Sequence, residues 1–415
     1  MEKFATVDAD GLRARVEQLL AEHDPAADRL AFLQARFDAG LAWVHYPQGL
    51  GGLGAPRELQ SVVDDALAAA GAPDNDPRRI GIGLGMAAPT ILVHGTDEQR
   101  RRWLRPLWTG EEVWCQLFSE PGAGSDLAAL GTRAVREQDS WIVNGQKVWT
   151  SMAHEARWAI LVTRTDPSVP KHAGMTYFAC DMTAPGVEVR PLRQITGEAE
   201  FNEVFLTDVR IPDEYRLGDV GNGWRVAQTT LMNERVAIGG GPAPRESGTI
   251  AAVCRAWRER PELRTPAGHA ELMRLWVEAE ALRLTGLRLR QQLSPAGYAS
   301  TGGGTPIAGA PGPEGSAAKL SYARLNQAVS GFELDLLGDD ALRYDDWSTD
   351  SWATERPAAV DFLARSPGYR YLRAKGNSIE GGTSEILRNI IAERVLGLPG
   401  EPRVDKDVPW KDLPK

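Results

Sequence analysis

Cysteine is scarce in this chain: Cys115, Cys180 and Cys254 are the only three in 415 residues, too few and too widely spaced for a disulfide framework or a cysteine-based zinc site. That usage fits a reducing compartment, and a cytoplasmic protein is expected. The six histidines show no His-Glu-x-x-His or similar spacing, so no metal is expected. Long apolar runs are missing as well. In the opening stretch MEKFATVDADGLRARVEQLL, charges and glycine interrupt each hydrophobic run, so neither a secretory signal nor a membrane span is expected. Positive charge is not in excess. A net charge of −9 with a pI near 5.4 argues against nucleic-acid binding, which needs a basic face, and leaves only local basic pockets for an anionic ligand.

What is present is a chain long enough for two or three cores, with 42% hydrophobic and 25% charged residues, unlike disordered or fibrous compositions. Three segments follow from its periodicity. Residues 1–115 read as helical, with Leu12, Val16, Leu19 and Leu20, then Leu59, Val62, Val63, Ala66 and Leu67, at helical spacing. Between them the stretch from Trp43 to Gly54 is a shaped loop, because its proline and glycines forbid a continuous helix. Residues 116–220 carry short β-branched and aromatic runs punctuated by Asn144-Gly145, Ala184-Pro185-Gly186 and Thr196-Gly197, the pattern of a small all-β domain. No βαβ alternation is visible, which disfavours a doubly wound sheet. Residues 221–415 return to long helical patterns, at Trp224–Ile238, Leu272–Gln292, Ala317–Leu337 and Ser384–Leu396, suited to a bundle. Within it the stretch 294–315 is half glycine and proline and reads as a surface loop or lid.

Four motifs are candidates for chemistry. In Phe118-Ser119-Glu120-Pro121-Gly122-Ala123-Gly124-Ser125-Asp126, two glycines permit close backbone approach to a ligand and two serines offer hydroxyls; the same glycines also suit a plain turn. Asn144-Gly145 is a hairpin signal, and strand alternation would put Trp149 and Ser151 on one face, a flat aromatic beside a donor, although a core tryptophan reads the same way. Glu380-Gly381-Gly382-Thr383-Ser384-Glu385 opens a final helix with Thr383 or Ser384 as N-cap; Glu380 is either a base or an ordinary surface residue. Glu234, between Leu231 and Val236 on a helix, is either an inward carboxylate with a raised pKa suited to proton abstraction or a partner for Arg235 on a solvated face. The run Gly81–Gly85 lacks the dinucleotide fingerprint spacing, and Gly122–Asp126 is not a nucleophile elbow.

In order and spacing, the Ser119–Asp126, Gly145–Ser151 and Gly381–Ile386 blocks resemble the acyl-CoA dehydrogenase family over nearly the whole chain. The resemblance implies an α+β, mainly α fold: an N-terminal helical domain, a small middle β-barrel or sandwich and a C-terminal four-helix bundle. It implies bound FAD, oxidation of an acyl-CoA to the trans-2-enoyl-CoA, an electron-transferring flavoprotein as acceptor, and a homo- or hetero-oligomer such as a dimer or tetramer. By motif match, Phe118, Ser119, Gly124, Ser125, Trp149, Ser151, Gly381, Gly382, Thr383 and Glu385 are expected at the flavin. Ser125, Arg235 and Arg388 are expected on the CoA side. The family's commonest base stands seven positions before the helix arginine, and counting back from Arg388 reaches Gly381, with Glu380 displaced by one. A minority, similar to isovaleryl-CoA and long-chain acyl-CoA dehydrogenases, place the base on the first long C-terminal helix, where Glu234 matches; Glu234 is expected as base ahead of Glu380. The Arg-x-x-Phe-Gly segment that meets a neighbouring subunit's FAD is not found in 256–268; either an arginine such as Arg264 substitutes, or the assembly and cofactor stoichiometry differ. The segment Leu337–Asp340 also departs from the family's glycine-rich aromatic turn. Two other readings stay open: an oxygen-reactive relative (an acyl-CoA oxidase, or a nitroalkane-oxidising or N-hydroxylating flavoenzyme) and a non-catalytic partner subunit of a mixed complex.

Overall fold

The computed structural model describes residues 7–238, 244–292, 313–343, 365–403 and 405–414; the glycine- and proline-rich stretch falls almost wholly outside them. Five helices open the chain: α1 (Ala9–Glu22), α2 (Arg29–Asp38), α3 (Gln60–Ala69), α4 (Ala88–His94) and α5 (Asp97–Thr109). Local chemistry sets their ends. Asp8 caps α1 by accepting from the Gly11 amide at 2.9 Å, while Thr96 and Gln99 form a reciprocal capping box on α5. The spacing of Leu12, Val16 and Leu19 turns one face of α1 onto Val63 and Leu67 of α3 and Phe32 of α2. Gly83 and Gly85 lie in a helical turn leading into α4, which leaves no phosphate loop there.

Eight strands follow: β1 (Trp114–Leu117), β2 (Arg133–Glu137), β3 (Ser140–Ser151), β4 (Trp158–Arg164), β5 (Met175–Asp181), β6 (Val187–Leu192), β7 (Phe201–Pro212) and β8 (Arg216–Leu217). Their order is β6-β7-β3-β2-β4-β5-β8, with β1 beside β4. β2 and β4 meet only at Arg133 and Arg164, so the sheet folds there around a core of its own. β4 is buried along its whole length because both its faces are covered. Trp158, Ile160 and Val162 join the helical core with Trp103 and Leu104, while Ala159 and Leu161 join the inner core with Phe178, Val204 and Leu206. Tryptophan rings lock the first two segments together. Trp103 of α5 meets Trp114 at 5.7 Å and Trp158 at 5.6 Å between centroids, edge to face.

Two local expectations for β3 fail. Asn144-Gly145 is no turn but an irregularity inside β3, where the pairing with β7 slips between Val143 and Gly145. Asn144 there exchanges hydrogen bonds with Asp208 across the sheet, its amide donating at 2.9 Å and its oxygen accepting from the Asp208 N–H at 3.0 Å. Gly145 is required by proximity, since a Cβ would stand 2.2 Å from Thr132 Oγ1. A second slip, between Lys147 and Thr150, is a bulge that puts Trp149 at φ +61°. Simple alternation of Trp149 and Ser151 is therefore broken.

The last segment holds α6 (Gly223–Ile238), α7 (Thr249–Glu259), α8 (Pro266–Gln292), α9 (Gly315–Leu337), α10 (Pro367–Ala374) and α11 (Ser384–Ile390). Helix α9 is the hub and touches the other five. It carries buried polar residues that are answered by neighbours: Glu333 by Arg370 at 2.5 Å, and Asn326 by Asn377 at 2.6 Å. Helices α7 and α10 went unnoticed in the sequence because each is short; α7 buries Ile250, Val253 and Cys254, and α10 buries Tyr369, Arg370 and Ala374. Arg264 is committed locally. It donates to the carbonyls of Trp257 and Arg258, at 2.8 Å each, and so closes the end of α7. The acidic turn after α9 places Asp340 against Arg260 at 3.1 Å.

Candidate active site

The position of Glu234 follows from the face of α6 that is buried. Val226, Ala227, Thr230 and Glu234 share one helical face, three or four residues apart. The first two enter the core, and Thr230 Oγ1 lies 2.8 Å from Thr90 Oγ1 and 2.9 Å from the Tyr177 hydroxyl. His94 reaches Thr229 at 2.8 Å. So pinned, α6 delivers Glu234 to β1, where the Gln116 side-chain amide donates to its carboxylate at 3.5 Å. Burial raises the Glu234 pKa; the Gln116 hydrogen bond and the Arg235 charge only partly oppose it, and the Glu380 charge adds to the rise. A carboxylate of raised pKa in an enclosed setting can accept a proton from carbon and release it again.

Lys319 was not foreseen in the sequence. It is wholly buried on α9 and donates to the Gly382 carbonyl at 2.7 Å, and the charges of Glu234 and Glu380 both act on it. Burial lowers its pKa against those two charges. The fold thus brings Glu234, Gln116, Lys319, Gly382 and Glu380 into one region. Glu380 is engaged by other groups: Arg373 donates to its two oxygens at 3.3 and 3.0 Å, and Asn377 donates to it at 2.5 Å. Gly381 and Gly382 turn the chain at φ +64° and +97° into α11, whose N-cap is Thr383, accepting from the Ile386 amide at 3.2 Å. Glu385 and Arg388 pair with each other at 3.2 Å on an exposed face. Arg235 is partly buried, and its Nε has no partner.

The second half of the site is the loop after β1. Phe118 is a core residue, packed edge to face on Tyr177 at 5.8 Å. Its carbonyl accepts from Lys147, whose ammonium is fully buried and also bonds Val162 O and Glu120. Glu120 accepts from the amides of Gly131 and Thr132 at 2.7 and 2.9 Å, which cinches the loop shut at its base. This clamp escaped the sequence reading, although a lysine inside an otherwise hydrophobic strand and a Glu before Pro-Gly were its visible signs. The loop's own face is open. No protein atom lies within 4 Å of where a Cβ on Gly122 or Gly124 would stand, Ser125 is exposed, and the Ser119 and Ser151 hydroxyls have no protein partner among the described residues. Trp149 is 60% exposed, touching the edge of Phe201 at 6.0 Å. Gln116 Oε1 and Thr150 Oγ1 are buried without partners. Open glycines, unpaired hydroxyls and an outstanding indole form a surface that fits a planar polar ring system with an anionic tail.

Among the described residues no group of histidine, cysteine and carboxylate side chains is placed to hold a metal, and no helix is long and apolar enough to cross a membrane. Comparison with known proteins gives a consistent picture. Models of the acyl-CoA dehydrogenase N-terminal, middle and C-terminal domains match residues 5–111, 115–209 and 221–396. The chain is 41% identical to acyl-CoA dehydrogenase FadE34 of Mycobacterium tuberculosis, over 94% of its own length and 49% of that relative, so it spans about half of FadE34. It is 35% identical to acyl-CoA dehydrogenase IpdE1 of the same organism, over 92% of its length and 90% of the relative's. Among solved structures it resembles a variant of the Tcur3481-Tcur3483 steroid ACAD, with 25% identity, a TM-score of 0.69 and coverage of 95% of this chain and 99% of that one. It also resembles the ChsE4-ChsE5 complex of M. tuberculosis, with 27% identity, a TM-score of 0.67 and coverage of 97% and 100%. With three domain models in sequence and a relative matched along nearly its full length, this chain belongs to the acyl-CoA dehydrogenase family.

Proposed function

We propose that the protein is a FAD-dependent dehydrogenase that converts an acyl-CoA thioester to its trans-2-enoyl-CoA, with Glu234 as the base. The observation that carries this reading is the Glu234 carboxylate, raised in pKa by burial and met by the Gln116 side chain from β1, the strand that leads into the open loop. Ser119, Gly124, Ser125, Trp149 and Ser151 would hold the flavin, with Gly381, Gly382, Thr383 and Glu385 on its far side. When bound, the flavin would supply the acceptor for the hydride that leaves Cβ of the acyl chain. Glu234 takes the α-proton, its proton affinity matched to the task by burial. Gln116 orients the carboxylate, Trp149 shields the ring from water, and Arg235 faces the CoA side. Glu380, already satisfied by Arg373 and Asn377, is a structural carboxylate in this scheme. Electrons would leave to an electron-transferring flavoprotein.

Anaerobic titration of the purified protein with acyl-CoAs of varied length, branching and ring content tests the reading. Bleaching of the flavin band by at least one is expected, with Glu234→Gln keeping the colour and losing the bleaching. A protein that stays colourless after incubation with FAD refutes it, and peroxide released at the turnover rate in air redirects it to an oxidase. The acyl group is proposed to be bulky, since one similar structure is described as a steroid ACAD. A hetero-oligomeric working form is favoured by the two similar structures described as paired chains, by the vacant base position at Gly381 and by the local engagement of Arg264. Light scattering of the chain alone, with flavin occupancy counted per protomer, tests this; a stable, fully loaded and active homotetramer removes the need for a sister chain.

A further inference from the structure

The segment Asp405–Pro414 lies across the middle domain, far in sequence from what it touches. Pro409 pairs with Pro170, the Trp410 amide donates to Val169 O at 2.9 Å, and the Lys411 amide to Pro167 O at 3.0 Å. Trp410 seats on the Arg164 guanidinium, 5.0 Å from ring centroid to Cζ, and its indole N–H donates to Ala129 O at 3.1 Å. Arg164 in turn donates to Lys171 O at 2.6 Å and to Ala128 O. Lys171, 7% exposed, is shared by two carboxylates, Asp126 at 2.6 Å and Asp405 at 2.5 Å. Two loops of the β domain, 118–132 and 166–173, are joined directly by the Asp126–Lys171 pair and by Arg164, and this segment adds a further tie to both.

The contact matters because of what Asp126 adjoins. Gly122, Gly124 and Ser125 have open space around them, so the shape of that stretch is fixed by buried Ala123, bridged to Glu120, and by its two ends. One end is the Glu120 clamp on Lys147, Gly131 and Thr132. The other is Asp126 on Lys171, which Asp405 completes. We propose that the 405–414 segment is a strap that holds the Gly122–Asp126 loop in its ligand-receiving shape, with Lys171, Asp405 and Trp410 as positioning residues for the dinucleotide. The proposal rests on the flavoprotein reading above. Its physical basis is preorganisation: a loop already held in the bound shape loses less freedom when the ligand arrives.

Asp405→Asn and Trp410→Ala in the full chain test it, with Trp410→Phe as the variant that keeps the ring on Arg164 and loses only the indole donor. Three quantities are read on flavin-stripped protein: FAD affinity by fluorescence quenching, the thermal midpoint, and tryptic cleavage after Lys171. Asp405→Asn and Trp410→Ala are expected to weaken FAD by about tenfold and to open Lys171 to trypsin, with turnover at saturating FAD unchanged. Trp410→Phe is expected within about threefold of wild type. If Lys171 becomes cleavable while FAD affinity stays at the wild-type value, the segment is only a cover and the proposal is overturned. Should Trp410→Ala fail to fold, Asp405→Asn and Trp410→Phe decide alone. A wild type that takes up no FAD refutes the functional reading and the strap's role together; a wild type that does, with variants equal to it, refutes the strap only.

Discussion

Replacing Lys147 with methionine isolates the clamp at the base of the ligand loop. Methionine follows most of the lysine stem but offers nothing to the three acceptors around Nζ: Phe118 O at 2.9 Å, Val162 O at 3.0 Å and Glu120 Oε1 at 2.8 Å. Breaking an enclosed pair by removing one partner costs about 3–5 kcal/mol, and each carbonyl left without a donor about 1–3 kcal/mol. These overlap, and sparing the burial of an ammonium offsets part of them. A net loss of about 4 kcal/mol is expected, roughly three decades in the local opening equilibrium. Because this is a three-domain chain, the loss should be read locally, by hydrogen exchange at the Gly131 and Thr132 amides that Glu120 holds. Glu120→Gln keeps an acceptor for one of those amides and turns an NH2 toward the other, and should cost about 1–3 kcal/mol; the double variant should cost less than the two singles added.

The pair also sets a pH signature. Burial alone would raise the Glu120 pKa, but the Lys147 charge and hydrogen bond, with the Gly131 and Thr132 contacts, overcome it and hold the carboxyl below its ordinary value of 4.5. A depressed carboxylate stabilises the fold above its unfolded pKa and loses that contribution as pH falls through the folded one. The loop's acid transition should therefore lie below pH 4.5 in wild type and move upward in Lys147→Met. A change in exchange of less than about 1 kcal/mol in Lys147→Met would refute the clamp, because it would mean that water replaces the ammonium without loss.

Glu234→Gln should lower kcat by about two to four decades with flavin binding kept, and should abolish the acid limb of the rate profile. That limb is expected above the usual carboxylate range because burial favours the protonated form of Glu234, and Gln116→Leu should move it higher still by removing a donor to the anion. Trp149→Gly should leave stability unchanged or higher by about 1 kcal/mol, since the indole is exposed and the backbone left-handed there, while flavin affinity falls; calorimetry and quenching separate the two. Gly145→Ala should destabilise by about 1–3 kcal/mol, because its Cβ meets both the side chain and the Cα of Thr132, and a lowered thermal midpoint checks it.

The family, the three-part order and the two candidate carboxylates were legible in the sequence because each is local: helical spacing, β-branched runs and short blocks need only neighbours along the chain. So was an N-cap at Thr383 or Ser384, of which the fold uses Thr383, since a cap depends on the next three residues. What stayed hidden depends on contacts between distant segments. The Asn144-Gly145 pair reads as a hairpin until β7 is laid beside it and Thr132 fills the space a side chain would need. The packing of Phe118 on Tyr177, and the burial of Lys147 among acceptors from the loop after β1 and from β4, could not be read from the chain. The surroundings of the two candidate carboxylates are likewise tertiary: Glu234 lies in a setting that raises its proton affinity, and Glu380 is held by Arg373 and Asn377. Composition and spacing determined which groups this protein possesses. Packing alone decided which of them are already satisfied and which remain available for chemistry, because burial and partnership are properties of the folded neighbourhood and not of the chain.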